Sequence, residues 1–175
     1  MTISEAQQLV DRGKQAFAAQ EYDQAASLFT EAATAYEALD DALNAAETKN
    51  NLSVALLQSG KAQAAFEAAA GTDKVFAQAE DLKRQAMALG NQAAALEALK
   101  KLDQALEAYE QSAALFAEAG EGDMRSMVLQ SAAAIKLKRG KVMDSAFSMI
   151  GSVESTQKPN LLQRFLRFLL RFLNR

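Results

Sequence analysis

Apolar residues along this chain recur three and four positions apart, and that pattern itself returns every forty residues. Ala6, Leu9, Val10, Ala16 and Phe17 form one stripe; Ala25, Ala26, Phe29, Ala32, Ala33, Tyr36 and Leu39 form the next. Written in rows of forty, Tyr22, Ala62, Leu102 and Val142 share a column without any gap. Small residues fill three more columns: Gly13, Ser53, Ala93 and Ala133; Ala25, Ala65, Ala105 and Ser145; and Ala32, Thr72 and Ser112. Bulky residues repeat as Phe29, Tyr109 and Met149, with Ala69 the exception, and as Tyr36, Phe76 and Phe116. Spacings of three and four predict helix. A fixed period of this length predicts stacked helix pairs, none able to bury its apolar face alone. The fold class expected is all-α.

The first helix is expected to start behind Ser4 as N-cap and to run to about Ala19, with Gln20-Glu21 as the turn and a second helix from near Tyr22. The second pair spans about Asp41–Ser59, capped by Gly60, and about Ala62–Ala79. Gly71 falls inside that last helix, where glycine costs about 1 kcal/mol relative to alanine. With Thr72-Asp73 behind it to restart the helix, a weak or kinked stretch is expected there. The third pair covers about Asp81–Leu99 and Leu102–Ala119, and Gly120-Glu121-Gly122-Asp123 is the clearest break. A fourth pair is expected from near Asp123 to Arg139, stopping at Gly140, with a short second helix from Val142 to about Val153. This gives a repeat domain over 1–153 (repeats about 4–40, 41–80, 81–120 and 121–153), a linker over 154–159 and a separate helix over 160–175.

Composition narrows the chemistry. The chain has no cysteine and no histidine, which removes disulfides, thiolate nucleophiles, most transition-metal sites and the commonest general base. No phosphate-binding glycine loop or metal-ligand spacing occurs, and the remaining titratable residues read as solvated helix faces. The sequence therefore predicts no enzyme, no cofactor and no small-molecule substrate. Residues 1–123 carry 9 Lys/Arg against 20 Asp/Glu, a net −11, whereas residues 124–175 carry 10 against 2, a net +8. The acidic majority argues against nucleic acid. The asymmetry points to an acidic-surfaced partner, an anionic membrane or head-to-tail self-association, so a homo-oligomer stays open. The opening residues lack the basic and apolar runs of a secretion signal, and no segment is apolar enough to span a bilayer. A cytoplasmic protein is expected, with the inner face of a membrane as a place for its C-terminal end.

The columns, together with Glu21-Tyr22-Asp23-Gln24-Ala25, Leu102-Asp103-Gln104-Ala105 and the triplet Leu89-Gly90-Asn91, resemble the tetratricopeptide repeat in its forty-residue, kinesin-light-chain-like form. The resemblance covers about residues 4–153, and the usual proline between repeats is missing. It implies a right-handed superhelix, an α-solenoid of antiparallel pairs, whose concave face is lined by the first helix of each pair. It also implies a protein-binding adaptor or scaffold, with another protein or a peptide segment as partner. The groove residues this implies include Asp11, Lys14, Asn50, Asn51, Met87, Asn91, Met127, Gln130 and Ser131. Asp11, Asn51, Asn91 and Ser131 share one column, and an asparagine amide both donates to and accepts from a peptide backbone. Groove residues that are merely solvated are the alternative. The family's two-carboxylate clamp is not expected, since only Asn51 matches it and Val10, Met87 and Asn91 stand where it needs basic side chains.

Residues 160–175 follow a different rule. At 100° per residue, Leu161, Leu162, Phe165, Leu166, Phe168, Leu169, Leu170, Phe172 and Leu173 share one arc of about 200°. Gln163, Arg164, Arg167, Arg171, Asn174 and Arg175 share the other, with no exchange between the two. The helix expected here is basic and amphipathic, and at about 22 Å it is too short to span a bilayer. It suits lying in a membrane interface. Covering the last repeat, docking in a partner protein and mediating self-association are the other uses of such a helix.

Overall fold

The computed structural model describes residues 1–155, and side chains as far as Gly140. The linker from 156 onward and the amphipathic helix expected over 160–175 lie outside the described residues. Among the described residues eight helices follow in order: α1 Ile3–Ala18, α2 Tyr22–Ala38, α3 Ala42–Gln58, α4 Ala62–Ala69, α5 Thr72–Gln78, α6 Leu82–Ala98, α7 Leu102–Glu118 and α8 Gly122–Ser155. No strand occurs among the described residues. Met1–Ala132 forms one compact unit that holds α1 to α7 and the start of α8; a second unit begins at Ala133. In the first unit, α1 pairs with α2, α3 with the broken helix α4–α5, and α6 with α7, each pair packing on the next as a TPR-like α-solenoid.

The turns are as periodic as the helices. Gln20, Asp40, Gly60, Glu80, Lys100 and Gly120 all have positive φ, between 56° and 78°, one every twenty residues. At each, the following residue's N–H reaches back five positions: Glu21 to Ala16, Asp41 to Tyr36, Lys61 to Leu56, Asp81 to Phe76, Lys101 to Leu96 and Glu121 to Phe116. A second bond runs three positions back from the left-handed residue itself, as from Gln20 to Phe17. These paired bonds satisfy helix-end carbonyls and turn the chain back on itself. Left-handed backbone costs a side-chain-bearing residue about 1 kcal/mol or more. Replacing the exposed Gln20, Asp40, Glu80 and Lys100 by glycine is therefore expected to raise stability by up to about 1 kcal/mol each. Chemical denaturation checks this; a loss at all four sites would contradict the turn geometry.

The small and aromatic columns have separate tasks. A Cβ on Gly13 would lie 2.7 Å from the Phe29 ring, so only glycine lets α1 and α2 approach this closely. Ser53 and Ser112 fit the same tight seams and donate to the carbonyls of Ala65 and Ala86, both at 2.7 Å. Tyr36, Phe76 and Phe116 are buried to 2 % exposure or less and fill the space between successive pairs.

Three expectations need correction. The first N-cap is Thr2, not Ser4: Thr2 Oγ1 accepts from the Glu5 N–H, and the Glu5 carboxylate accepts from the Thr2 N–H at 2.7 Å. That reciprocal pair outbids a lone serine two residues later. At Gly71 the helix does not kink but stops, with φ at +80°. Thr72 caps no new start; its hydroxyl is placed to donate to the Ala69 carbonyl at 2.8 Å or to Asn50 Oδ1 at 2.9 Å. The Ala69 carbonyl, freed by the break, also accepts from Gln92 Nε2 at 3.0 Å. Lastly, Gly140 does not end a helix. α8 runs through it to Ser155, so among the described residues the short second helix expected from Val142 to about Val153 is a continuation of the first. One glycine costs a helix interior only about 1 kcal/mol, too little to force a stop without turn chemistry around it.

Candidate functional site

Two clefts open on the face formed by the first helices. One, of about 150 Å³, is lined by Lys14 and Phe17 of α1, Phe29 of α2, and Asn51 and Val54 of α3. The other, of about 280 Å³, lies among α6, α7 and the start of α8, with Met87, Asn91, Ala94, Tyr109, Met127 and Ser131 among its lining. They are the same site two repeats apart. Lys14, Phe29 and Asn51 of the first correspond at eighty residues to Ala94, Tyr109 and Ser131 of the second. In each, an aromatic from a second helix makes the floor and a polar residue of the next first helix stands in the wall. Between them the aromatic column holds Ala69, where the helix breaks and Gln92 reaches in.

The groove residues named from the sequence divide accordingly. Lys14 and Asn51 meet in the first cleft; Met87, Asn91, Met127 and Ser131 meet in the second. Met87 is 38 % exposed and Met127 67 %, and their flexible thioethers suit the varied apolar surface of a partner. Asp11 is exposed beside the first cleft's helix and accepts from Gln7 Nε2 at 3.0 Å. Asn50 is a correction. It is 7 % exposed, turned toward α5 and within 2.9 Å of Thr72 Oγ1, because its column faces the second helix of its own pair. Gln130 shares that column with Asn50; it is exposed and lines neither cleft.

The floor of the larger cleft went unseen as a binding element, since Tyr109 and Phe116 read as packing aromatics. Tyr109 is buried, its hydroxyl donates to Glu97 Oε2 at 3.3 Å, and burial pushes its phenol up to about 12. It therefore stays neutral, a polar point in an apolar wall. Two cations at the start of α6 are paired. Lys83 meets Glu121 at 2.7 Å, and Arg84 spans from Asp81 at 2.7 Å to Glu47 at 3.1 Å. The Arg84 backbone N–H, then its guanidinium, hold the Asp81 carboxyl below the usual carboxylate range. Arg84 also lies 5.1 Å from the centre of the Phe76 ring. The arrangement provides shape, apolar contact and amide hydrogen bonding. Among the described residues no three acidic side chains cluster as metal ligands, and no helix is long and apolar enough to cross a membrane.

No protein-family model matches the sequence, and no curated protein matches it either. Among solved structures, the fold is similar to that of a Podospora anserina protein of nearly identical TPR-like repeats, named as a kinesin light chain. The TM-score is 0.69 at 15 % identity, over 90 % of this chain and 79 % of that one. At such identity the likeness is one of fold: helix pairs stacked in a TPR-like solenoid.

Proposed function

We propose that this chain is a non-catalytic scaffold that holds a segment of another protein along the face of its first helices. The recurrence of a cleft two repeats apart carries this reading, since an extended or helical segment crossing the repeats would meet an aromatic floor beside a polar wall residue twice. Apolar side chains would enter above Phe29 and Tyr109, while Asn51 and Asn91, in one column, bond the segment's backbone. Residues 160–175 would bring the scaffold to anionic membrane surfaces, a role supported by the clean division of nine apolar residues from four arginines.

Replacing Asn51 and Asn91 together by alanine tests the groove. Both are half-buried, so stability is expected to change by no more than about 0.5 kcal/mol per site. Capture of partner protein is expected to fall severalfold, as two backbone-directed bonds are lost. Capture that survives intact would move the binding surface off this face.

A further inference from the structure

The two clefts share a plan but differ in charge and size. In the first, Lys14 stands exposed in the wall and makes no ion pair or hydrogen bond among the described residues. Carboxylates are plentiful in this chain, and Lys49, Lys61, Lys83 and Arg84 each meet one. Eighty residues on, the same position is Ala94, and no charged residue lines the second cleft. That cleft is also the larger, about 280 Å³ against 150 Å³, and Met87, Met124 and Met127 surround its Tyr109 floor. Methionine sulfur packs favourably against an aromatic ring. The first cleft therefore suits an aliphatic side chain with a carboxylate close by, and the second an aromatic one.

Between the clefts the pattern is interrupted. The floor position halfway is Ala69, fully buried and without a ring to offer. The Gln92 amide that reaches it is occupied, donating to the Ala69 carbonyl at 3.0 Å and to Asp73 Oδ1 at 2.8 Å. The side-chain amides of Asn51 and Asn91, by contrast, bond nothing among the described residues. An open amide can take a backbone N–H or C=O, but a helix already uses its own. These two amides therefore select an extended segment. Neighbouring helices pack about 8–10 Å apart, so clefts two first helices apart are separated by about 16–20 Å. An extended chain covers that distance in about five or six residues. Its side chains alternate, so only an even separation turns both anchors toward the groove, which leaves about six.

Given the groove reading, we propose the class of its occupant: an extended segment of another protein with an aliphatic anchor in the first cleft, an aromatic anchor about six residues away in the second, and a carboxylate over Lys14. Lys14 belongs to α1, the outer wall of the first cleft. The carboxylate thus occupies the next groove-facing position beyond the aliphatic anchor, on the side away from the aromatic one. A cation at one cleft and none at the other fixes which way the segment runs across the repeats.

Fluorescein-labelled peptides of serine and threonine that carry one glutamate, one leucine and one phenylalanine in that order, or in the reverse order, are titrated against the full-length protein by fluorescence anisotropy. The leucine and phenylalanine stand four, six or eight residues apart. The expected result is tightest binding at a separation of six, by about tenfold, because the other spacings seat only one anchor. Changing the peptide's glutamate to glutamine should weaken binding by up to about fivefold with the native protein and leave it unchanged with Lys14→Gln. Lys14→Glu should instead favour a peptide with lysine in the glutamate's place. Equal binding at all three separations, or a glutamate effect that persists in Lys14→Gln, would overturn this assignment and leave the groove reading standing. Failure of every peptide would overturn it as well. A protein adduct still formed from a photoreactive residue at Met87 would then show the groove to serve a different segment, and loss of that adduct would remove the groove reading too.

Discussion

Removing residues 160–175 is expected to abolish flotation of the protein with anionic vesicles. Nine large apolar side chains are worth roughly 1.5–3 kcal/mol each when fully buried, and interfacial immersion recovers only part of that. Ordering sixteen residues costs about 1 kcal/mol or more apiece. The two nearly cancel, so four arginines at about 1 kcal/mol each near an anionic surface decide whether the segment binds. Binding should therefore depend on lipid charge and weaken as salt screens the arginines. Changing Phe165, Phe168 and Phe172 to serine should weaken flotation at any salt concentration. Changing Arg164, Arg167, Arg171 and Arg175 to glutamine should chiefly erase the preference for anionic lipid. A truncated protein that melts lower, from a parent that never floats, would instead make the segment a structural lid.

The second large effect is at Phe76. It is fully buried, packed with Val75, Ala46 and Ala88, and so joins the second pair to the third. Phe76→Ala leaves a cavity that alanine-rich neighbours cannot close, and is expected to cost about 3–5 kcal/mol. Against a total stability of about 5–15 kcal/mol, that is a large share. The melting temperature should fall by on the order of 10 °C. Because each repeat contacts only its neighbours, the loss should also blur the single unfolding transition into two. A change below about 1 kcal/mol would mean that the aromatic column does not couple the repeats.

What could be read from the sequence was what repeats. Three helix pairs, their boundaries and the buried columns follow from spacing, because packing every forty residues forces the same residue sizes into the same places. The turn at Gln20-Glu21 and those at Gly60 and Gly120 were legible, but the left-handed backbone of Gln20, Asp40, Glu80 and Lys100 was not, since nothing in those side chains announces it. A weak or kinked stretch was expected at Gly71 and a stop at Gly140, whereas the helix stops at Gly71 and runs through Gly140. What separates them is partners: the freed Ala69 carbonyl finds Thr72 and Gln92. In the site, the columns placed Asn51, Asn91 and Ser131 on the cleft walls. They misplaced Asn50, because adjacent helical positions differ by 100° and its column turns toward the paired helix. That Tyr109 serves as floor follows from a third helix, α8, which pattern along a single helix does not show.

Site-specific photo-crosslinking in living cells tests the groove most directly. A photoreactive residue replaces Met87 or Met127 on the cleft face, or the exposed Glu31 or Glu107 on the second helices. The account predicts a protein adduct from Met87 and Met127, lost when Asn51→Ala and Asn91→Ala are added, and none from the other two positions. Adducts from Glu31 and Glu107 with none from the cleft would contradict it.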